Sequence, residues 1–343
     1  MMTKRLAILI LSILLLATLM LATASAQDST TTSTAVGVTG AWARPGDAVS
    51  AAYMHIANEG DHPLRLTGAH TDAGMAELHQ SVMENDVMRM QRVDGIDIAP
   101  GETVALEPGG YHIMIMNLRR PLAEGDLVPL TLEFSSGVEI TINARASDTP
   151  VPQLLQPDDL TALMLETAAS GRYLGQIVNP PIQAQDFVAP GSDEGLTRLS
   201  DTDGLWRVVF FGYMHCPDFC PLTLVDYRQT KELLGQAAEN VRFVFVSVDS
   251  IRDTPEAMRR YLDNFDPDFI GFSPDDATLS QIQPDYGFYY ERRMDAGSLA
   301  VYTIDHSTRS YLIDPNGVLR ASFAYRTPPP TVADTLLWYI NNG

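Results

Sequence analysis

The sequence predicts a multidomain chain, an all-β sandwich followed by an α/β domain, and three observations carry that prediction. From residue 37 to 145 short apolar runs are cut by Gly, Pro, Asn and Asp: "AAYMHIANEGDHP", "LRLTGAH", "GETVALEPGG", "YHIMIMNL", "VPLTLEFSSG" and "VEITINAR". Regular short strands with that punctuation build antiparallel sandwiches or barrels. From about residue 174 the texture changes. "RVVFFGY" and "VRFVFVSVD" are continuous apolar runs, as strands buried on both faces require, with helical stretches between and after them: "PLTLVDYRQTKELLGQAA", "TPEAMRRYLDNF" and "TVADTLLWYINN". Such alternation points to helices around a mostly parallel or mixed sheet. The chain has 343 residues, enough for two cores, and no internal repeat relates its halves.

Composition narrows the function. Hydrophobic residues make up 45% and charged residues 19%, which is globular. The net charge of −20 is spread along the chain, which disfavours nucleic acid as a partner. It suits a basic protein partner or attraction of cations. At the start, Lys4 and Arg5 precede the apolar run "LAILILSILLLATLMLA" and the small-residue site Ala24-x-Ala26. Residues 1–26 therefore read as a signal peptide or a retained N-terminal membrane anchor, and either places the rest outside the cytoplasm. Residues 27–36, "QDSTTTSTAV", form a flexible tether. Residues 146–173 form a linker in which "DDLTALMLETAA" reads as a short connecting helix.

In the β half, methionine and histidine cluster. His79 is followed by Met90 with ten residues between, then by His112 with 21 between, then by Met114 with one between. Residues two apart on a strand face the same side, so His112 and Met114 can chelate one ion, joined by His79 and Met90 from a facing segment. Thioether and imidazole are soft to borderline ligands that select Cu(I), whereas hard cations want oxygen. This half has no thiolate, which disfavours a structural zinc site. The spacing, with "GAWARP", "YMHIAN" and "EPGGYHIMIMNL", resembles the periplasmic copper-binding PCuAC family over residues 37–145. The resemblance implies a cupredoxin-like sandwich with a shallow surface Cu(I) site held by His79, Met90, His112 and Met114. Met83, Met88 and Met116 fall outside the motif and read as core or outer-shell residues. His55, His62 and His70 read as solvated.

The α/β half contains both cysteines of the chain, Cys216 and Cys220, in "FFGYMHCPDFCPLT", between an apolar strand and a helix beginning near Pro221. A thiolate at a helix N-terminus is favoured by the dipole. Three readings stand side by side: a structural disulfide, which closes too small a loop to gain much; a dithiol catalyst, for which C-x-x-C is the usual spacing; and a metal chelate, which needs a further ligand. The stretch, with "FVFVSVDSIRDTPE" and "VYTIDHSTRSYLIDPNG", resembles the Sco/SenC family of thioredoxin-fold copper proteins over about 174–341, within a domain of 174–343. That resemblance implies Cys216, Cys220 and His306 as ligands of Cu(I) or Cu(II). It also places Asp249 in an acidic loop, as a tuning or docking residue or a plain turn aspartate. Met214 and His215 read as packing and outer-shell residues.

Together the resemblances imply a relay. The β half captures Cu(I) and the α/β half receives it, the tether raising the effective concentration of one site at the other. The implied partners are the copper-accepting subunit of cytochrome c oxidase or another copper chaperone, in the periplasm or at the extracytoplasmic face of the inner membrane. The alternative is a thiol–disulfide oxidoreductase using Cys216 and Cys220 catalytically to keep copper-site cysteines reduced. Passive copper buffering ranks below both, because no long His- or Met-rich repeat is present. Hydrolase and P-loop motifs are absent from the sequence.

Overall fold

Side-chain alternation along the strands decides what each face of the β half does. The computed structural model describes residues 36–147, 175–294 and 302–342. The targeting segment, the tether up to residue 35 and the linker from residue 148, with its expected helix, lie outside them. The β half consists of β1 (Val36–Ala43), β2 (Val49–Asn58), β3 (Leu64–His70), β4 (Met75–Glu84), β5 (Val87–Arg92), β6 (Ile96–Ile98), β7 (Thr103–Leu106), β8 (Tyr111–Met116), β9 (Leu127–Phe134) and β10 (Glu139–Ala146). On β8, Ile113 and Ile115 enter the sandwich core with Leu66, Leu78, Leu130 and Leu132. His112, Met114 and Met116 alternate with them and take the opposite face. Strands β4 and β5 meet in a two-residue turn, with Asn85 at φ 51° and Asp86 at φ 61°. Two positive φ values suit the twist of a tight hairpin, and Asn and Asp tolerate them best after glycine.

The α/β half consists of β11 (Gln176–Gln183), β12 (Trp206–Gly212), α1 (Phe219–Leu234), β13 (Val241–Ser247), α2 (Pro255–Asp263), β14 (Ile270–Phe272), α3 (Asp276–Tyr286), β15 (Tyr290–Arg293), β16 (Thr303–Ser307), β17 (Ser310–Ile313), β18 (Val318–Phe323) and α4 (Pro329–Asn342). Six strands form a sheet in the order β11-β18-β17-β12-β13-β14. The pairs β12–β13 and β13–β14 are parallel and β12–β17 is antiparallel, so the sheet is mixed, as expected. Every residue of β12 is buried, which is why its sequence shows no alternation. Among the described residues no helix is long and apolar enough to cross a membrane.

One feature departs from the expected pair of tethered domains. Strand β16 of the α/β half pairs antiparallel with β5 of the β half, placing His306 opposite Met88 and Ser307 opposite Val87. The sheet thus runs β15-β16-β5-β4-β8 across the boundary, and both halves belong to one compact unit. Met88, Met90, Met114 and Met116 are buried in the cluster that also contains Cys216, Cys220, Phe210 and Phe219. The outer face of the sandwich is therefore covered by the α/β half.

Candidate metal centre

The thiol pocket is built where β12 turns into α1. Cys216 lies in the turn and Cys220 in the first turn of the helix, which begins at Phe219, two residues earlier than the proline suggested. His306 arrives on β16, with Nε2 3.5 Å from Cys220 Sγ. Its Nδ1 donates to the Ser307 carbonyl at 2.8 Å, which leaves the Nε2 lone pair facing the thiols. The ligand atoms of Cys216, Cys220 and His306 all lie within 4.8 Å of one another, and all three residues are buried. Gly212 makes room for this approach, since a Cβ there would stand 2.7 Å from Cys220 Sγ. Rings of Phe210 and Tyr213 pack edge-on against His306 and exclude water.

Electrostatics split the two thiols. Burial pushes Cys216 up, but hydrogen bonding from Cys220 and His306 outweighs it and holds this thiol well below the usual range. Burial and then the neighbouring Cys216 push Cys220 well above it. The pair thus keeps one readily lost proton and one tightly held. Two sulfurs and an imidazole form a soft donor set that fits copper.

Around this pocket, Asp249 is fully buried and also heads a turn, its carbonyl accepting from the Arg252 and Asp253 amides at 3.1 and 2.9 Å. It accepts from Arg252 Nε and the Tyr302 hydroxyl. His215 Nδ1 lies 3.5 Å from Asp253 Oδ1, and Asp253 also accepts from Met214 N at 2.9 Å and Ser247 Oγ at 2.7 Å. Sequence reasoning missed Asp253, which braces the loop carrying Cys216. Met214 packs against the core as expected.

The second donor set lies side by side on the sheet. His79 on β4 is directly opposite His112 on β8, with ring centroids 5.9 Å apart. Met114 stands opposite Glu77, and Met90 on β5 stands opposite Ser81. Cross-strand partners and positions two apart share a face, so all four donors project to one side. His112 Nδ1 bonds the Gly110 carbonyl at 3.3 Å, while its buried Nε2 has no hydrogen-bond partner among the described residues. An orphaned imidazole nitrogen beside two thioethers is what a soft-metal ligand set requires. Burial first, then the neighbouring His79, lowers His112 to about 3 and keeps the ring neutral. His79 Nε2 lies 3.0 Å from Glu77 Oε2.

The expected shallow surface site is corrected here. His79, Met90, His112 and Met114 are 1%, 5%, 0% and 3% exposed, because the α/β half seats on them. Met88 is a buried core residue, as expected, and it is also the cross-strand neighbour of His306. Met116 is buried on the same face, and Met83 is partly exposed with its sulfur accepting from Thr308 Oγ1 at 3.6 Å. His55, His62 and His70 are exposed, as expected; His62 pairs with Asp61 and His70 with Glu133.

Several polar contacts hold the seat. Arg44 Nε and the Tyr53 hydroxyl donate to the Pro217 carbonyl at 3.1 and 3.2 Å, inside the cysteine loop. The Gly109 amide donates to Asp218 Oδ2 at 2.8 Å. Burial raises Asp218 to about 6 against the pull of Ser81 and that amide. At the hairpin tip Arg309 Nη2 meets Asp86 Oδ2 at 2.7 Å, and the Thr308 amide donates to the Asp86 carbonyl at 3.0 Å. A cavity of about 270 Å³ opens beside Cys216, lined by Arg44, Ser50, His215, Arg252 and Tyr261 among others.

Comparison with known proteins follows this division. The SCO1/SenC family model matches residues 179–341, and the model described as a putative lipoprotein, LpqE-like, matches 33–146. A SCO2-like protein of Rickettsia prowazekii is 36% identical over 114 residues, covering 33% of this chain and 56% of that protein. A SCO2-like protein of Rickettsia felis is 30% identical over 151 residues, covering 44% and 74%. Protein SenC of Rhodobacter capsulatus is 33% identical over 147 residues, covering 42% and 65%. The chain thus spans little more than half the length of several curated relatives. Among solved structures, copper-bound ScoI of Bradyrhizobium japonicum is 31% identical with a TM-score of 0.42, covering 46% of this chain and 99% of that one. The copper-bound PCuAC domain from PmoF2 is 25% identical with a TM-score of 0.28, covering 33% and 92%. With one half that matches the SCO1/SenC model and carries the thiol–imidazole pocket, and another that matches the LpqE-like model, the chain belongs to the SCO1/SenC family.

Proposed function

We propose that this chain is an extracytoplasmic copper metallochaperone. It binds one Cu(I) at His79, Met90, His112 and Met114 and one copper, as Cu(I) or Cu(II), at Cys216, Cys220 and His306. The observation that carries the reading is the buried convergence of Cys216, Cys220 and His306 to within 4.8 Å, from segments almost 90 residues apart. A disulfide or a pure dithiol catalyst needs no imidazole there, whereas a copper site does. Cargo is the natural role for such a site, since copper bound by few soft ligands is held firmly yet can pass on by ligand exchange. The acceptor we propose is the copper-binding subunit of cytochrome c oxidase, at its binuclear copper centre. That acceptor is the one the Sco/SenC resemblance implies.

A second reading is favoured by the split thiols. Cys216, with the lowered value, is the natural attacking thiolate on a partner's disulfide, and Cys220 closes the exchange. Each turnover leaves two partner thiols and an oxidised Cys216–Cys220 pair, which a dithiol reductant must restore. One experiment separates the readings. The reduced protein is titrated anaerobically with Cu(I) against a competing chelator, then mixed with an apo binuclear-copper domain. Two equivalents bound and passed on are expected, with His306→Ala losing one equivalent while thiol exchange persists. Normal oxidase assembly with the His306→Ala protein contradicts the chaperone reading.

A further inference from the structure

Met88 lies between the two donor sets, and no motif assigns it a role. It is fully buried on β5, cross-strand from His306 and two residues from Met90. Directly opposed residues in an antiparallel pair have Cα atoms about 4.5–5.5 Å apart, and residues two apart on a strand are roughly 7 Å apart on the same face. His306 Nε2 in turn faces Cys220 Sγ at 3.5 Å. Met90, Met88, His306 and Cys220 therefore form a line of soft donors across the seam, each within side-chain reach of the next. All four are shielded from solvent, being 5%, 0%, 0% and 0% exposed. Packing alone would be served as well by leucine at this position; the sulfur adds a ligand midway between two ligand sets.

We propose that Met88 is a transient Cu(I) ligand that carries the ion directly between the two pockets inside the docked molecule. The proposal rests on the two-site chaperone reading. Copper stays Cu(I) throughout. A bond from Met90 sulfur gives way to one from Met88 sulfur, which yields to His306 Nε2 and the cysteine sulfurs, and each thiol that binds releases its proton to the buffer. No free ion enters solvent, so a competing chelator does not intercept it.

The test uses the full chain with its Cys216–Cys220 pair oxidised and one equivalent of Cu(I) loaded on the Met/His face. Excess tris(carboxyethyl)phosphine then frees the thiols, taking up the disulfide's oxidising equivalents as phosphine oxide. Arrival of copper is followed by thiolate-to-Cu(I) absorption in the near ultraviolet. Met88→Leu is expected to slow arrival at least tenfold while both equilibrium affinities stay unchanged. Met116→Leu, which removes a thioether from the same cluster beyond Met114, should leave the rate at the wild-type value. A second measurement needs no change at Met88. In the Cys216→Ser, Cys220→Ser protein with ¹³C-methyl methionine, added Cu(I) should shift the Met88 methyl together with those of Met90 and Met114, and not that of Met116. Wild-type arrival in Met88→Leu, or an unmoved Met88 methyl, overturns the proposal while leaving the two-site reading standing. Failure of copper to arrive in the wild type overturns both.

Discussion

The two donor sets are made in different ways. Cys216, Cys220 and His306 converge within one half: a turn, the first turn of a helix and a strand bring their donor atoms to within 4.8 Å. His79, Met90, His112 and Met114 are laid out in strand register on an open sheet face, and the other half of the chain closes over them. The first is a product of the domain fold, the second of docking. Disturbing the seam should therefore open the Met/His face first and reach the thiol pocket only through β16 and the cysteine loop.

The largest effect on that seam is expected from Asp218. Its folded value of about 6 lies above the ordinary 3.8, because burial penalises the charged form first of all. A raised carboxyl contributes stability that is complete below 3.8 and is lost as pH rises through about 6. At neutral pH the buried charge thus costs about 3 kcal/mol relative to acid conditions. In copper-free, reduced protein, Asp218→Asn should gain that much on the wild type between pH 3.8 and 7, since Asn can still accept from Gly109. Urea unfolding at both ends of the range measures it. A difference that does not change with pH would mean that Asp218 is not buried against the β half.

A smaller effect is expected from Tyr53→Phe. It removes one hydrogen bond to the Pro217 carbonyl and leaves the ring stacked on Trp42 at 4.5 Å. The cost should be about 1 kcal/mol of unfolding free energy. Copper affinity at Cys216 and Cys220 should stay unchanged, which equilibrium competition checks. A loss of affinity there would show that the thiol pocket depends on the seam after all.

The clustering of both candidate donor sets was legible in the sequence for physical reasons. Strand alternation puts His112 and Met114 on one face, and soft donors at that spacing have few other uses. The cysteines stand before a helix N-terminus, where thiolate is favoured. The seam was not legible. β5 shows Met88 and Met90 alternating with Val87, Arg89 and Gln91, a pattern equally suited to a sandwich core or to a face covered by another domain. Periodicity reports that a face is buried and is silent on what buries it. The pairing of His306 with Met88 spans more than 200 residues and leaves no local signal. The clue the sequence did carry was the run from His112 to Met116, apolar or soft on both faces, as a strand between two packed layers must be.

The docking claim is tested most directly by oxidative footprinting of the copper-free protein with peroxide, read by mass spectrometry at each methionine. Met294, 85% exposed, and Met83, 36% exposed, should oxidise first. Met88, Met90, Met114 and Met116 should oxidise last, and Asp86→Arg, which breaks the pair with Arg309, should bring them forward. If Met90 and Met114 oxidise in the wild type as fast as Met294, the Met/His face is open to solvent and the account of a covered site is wrong.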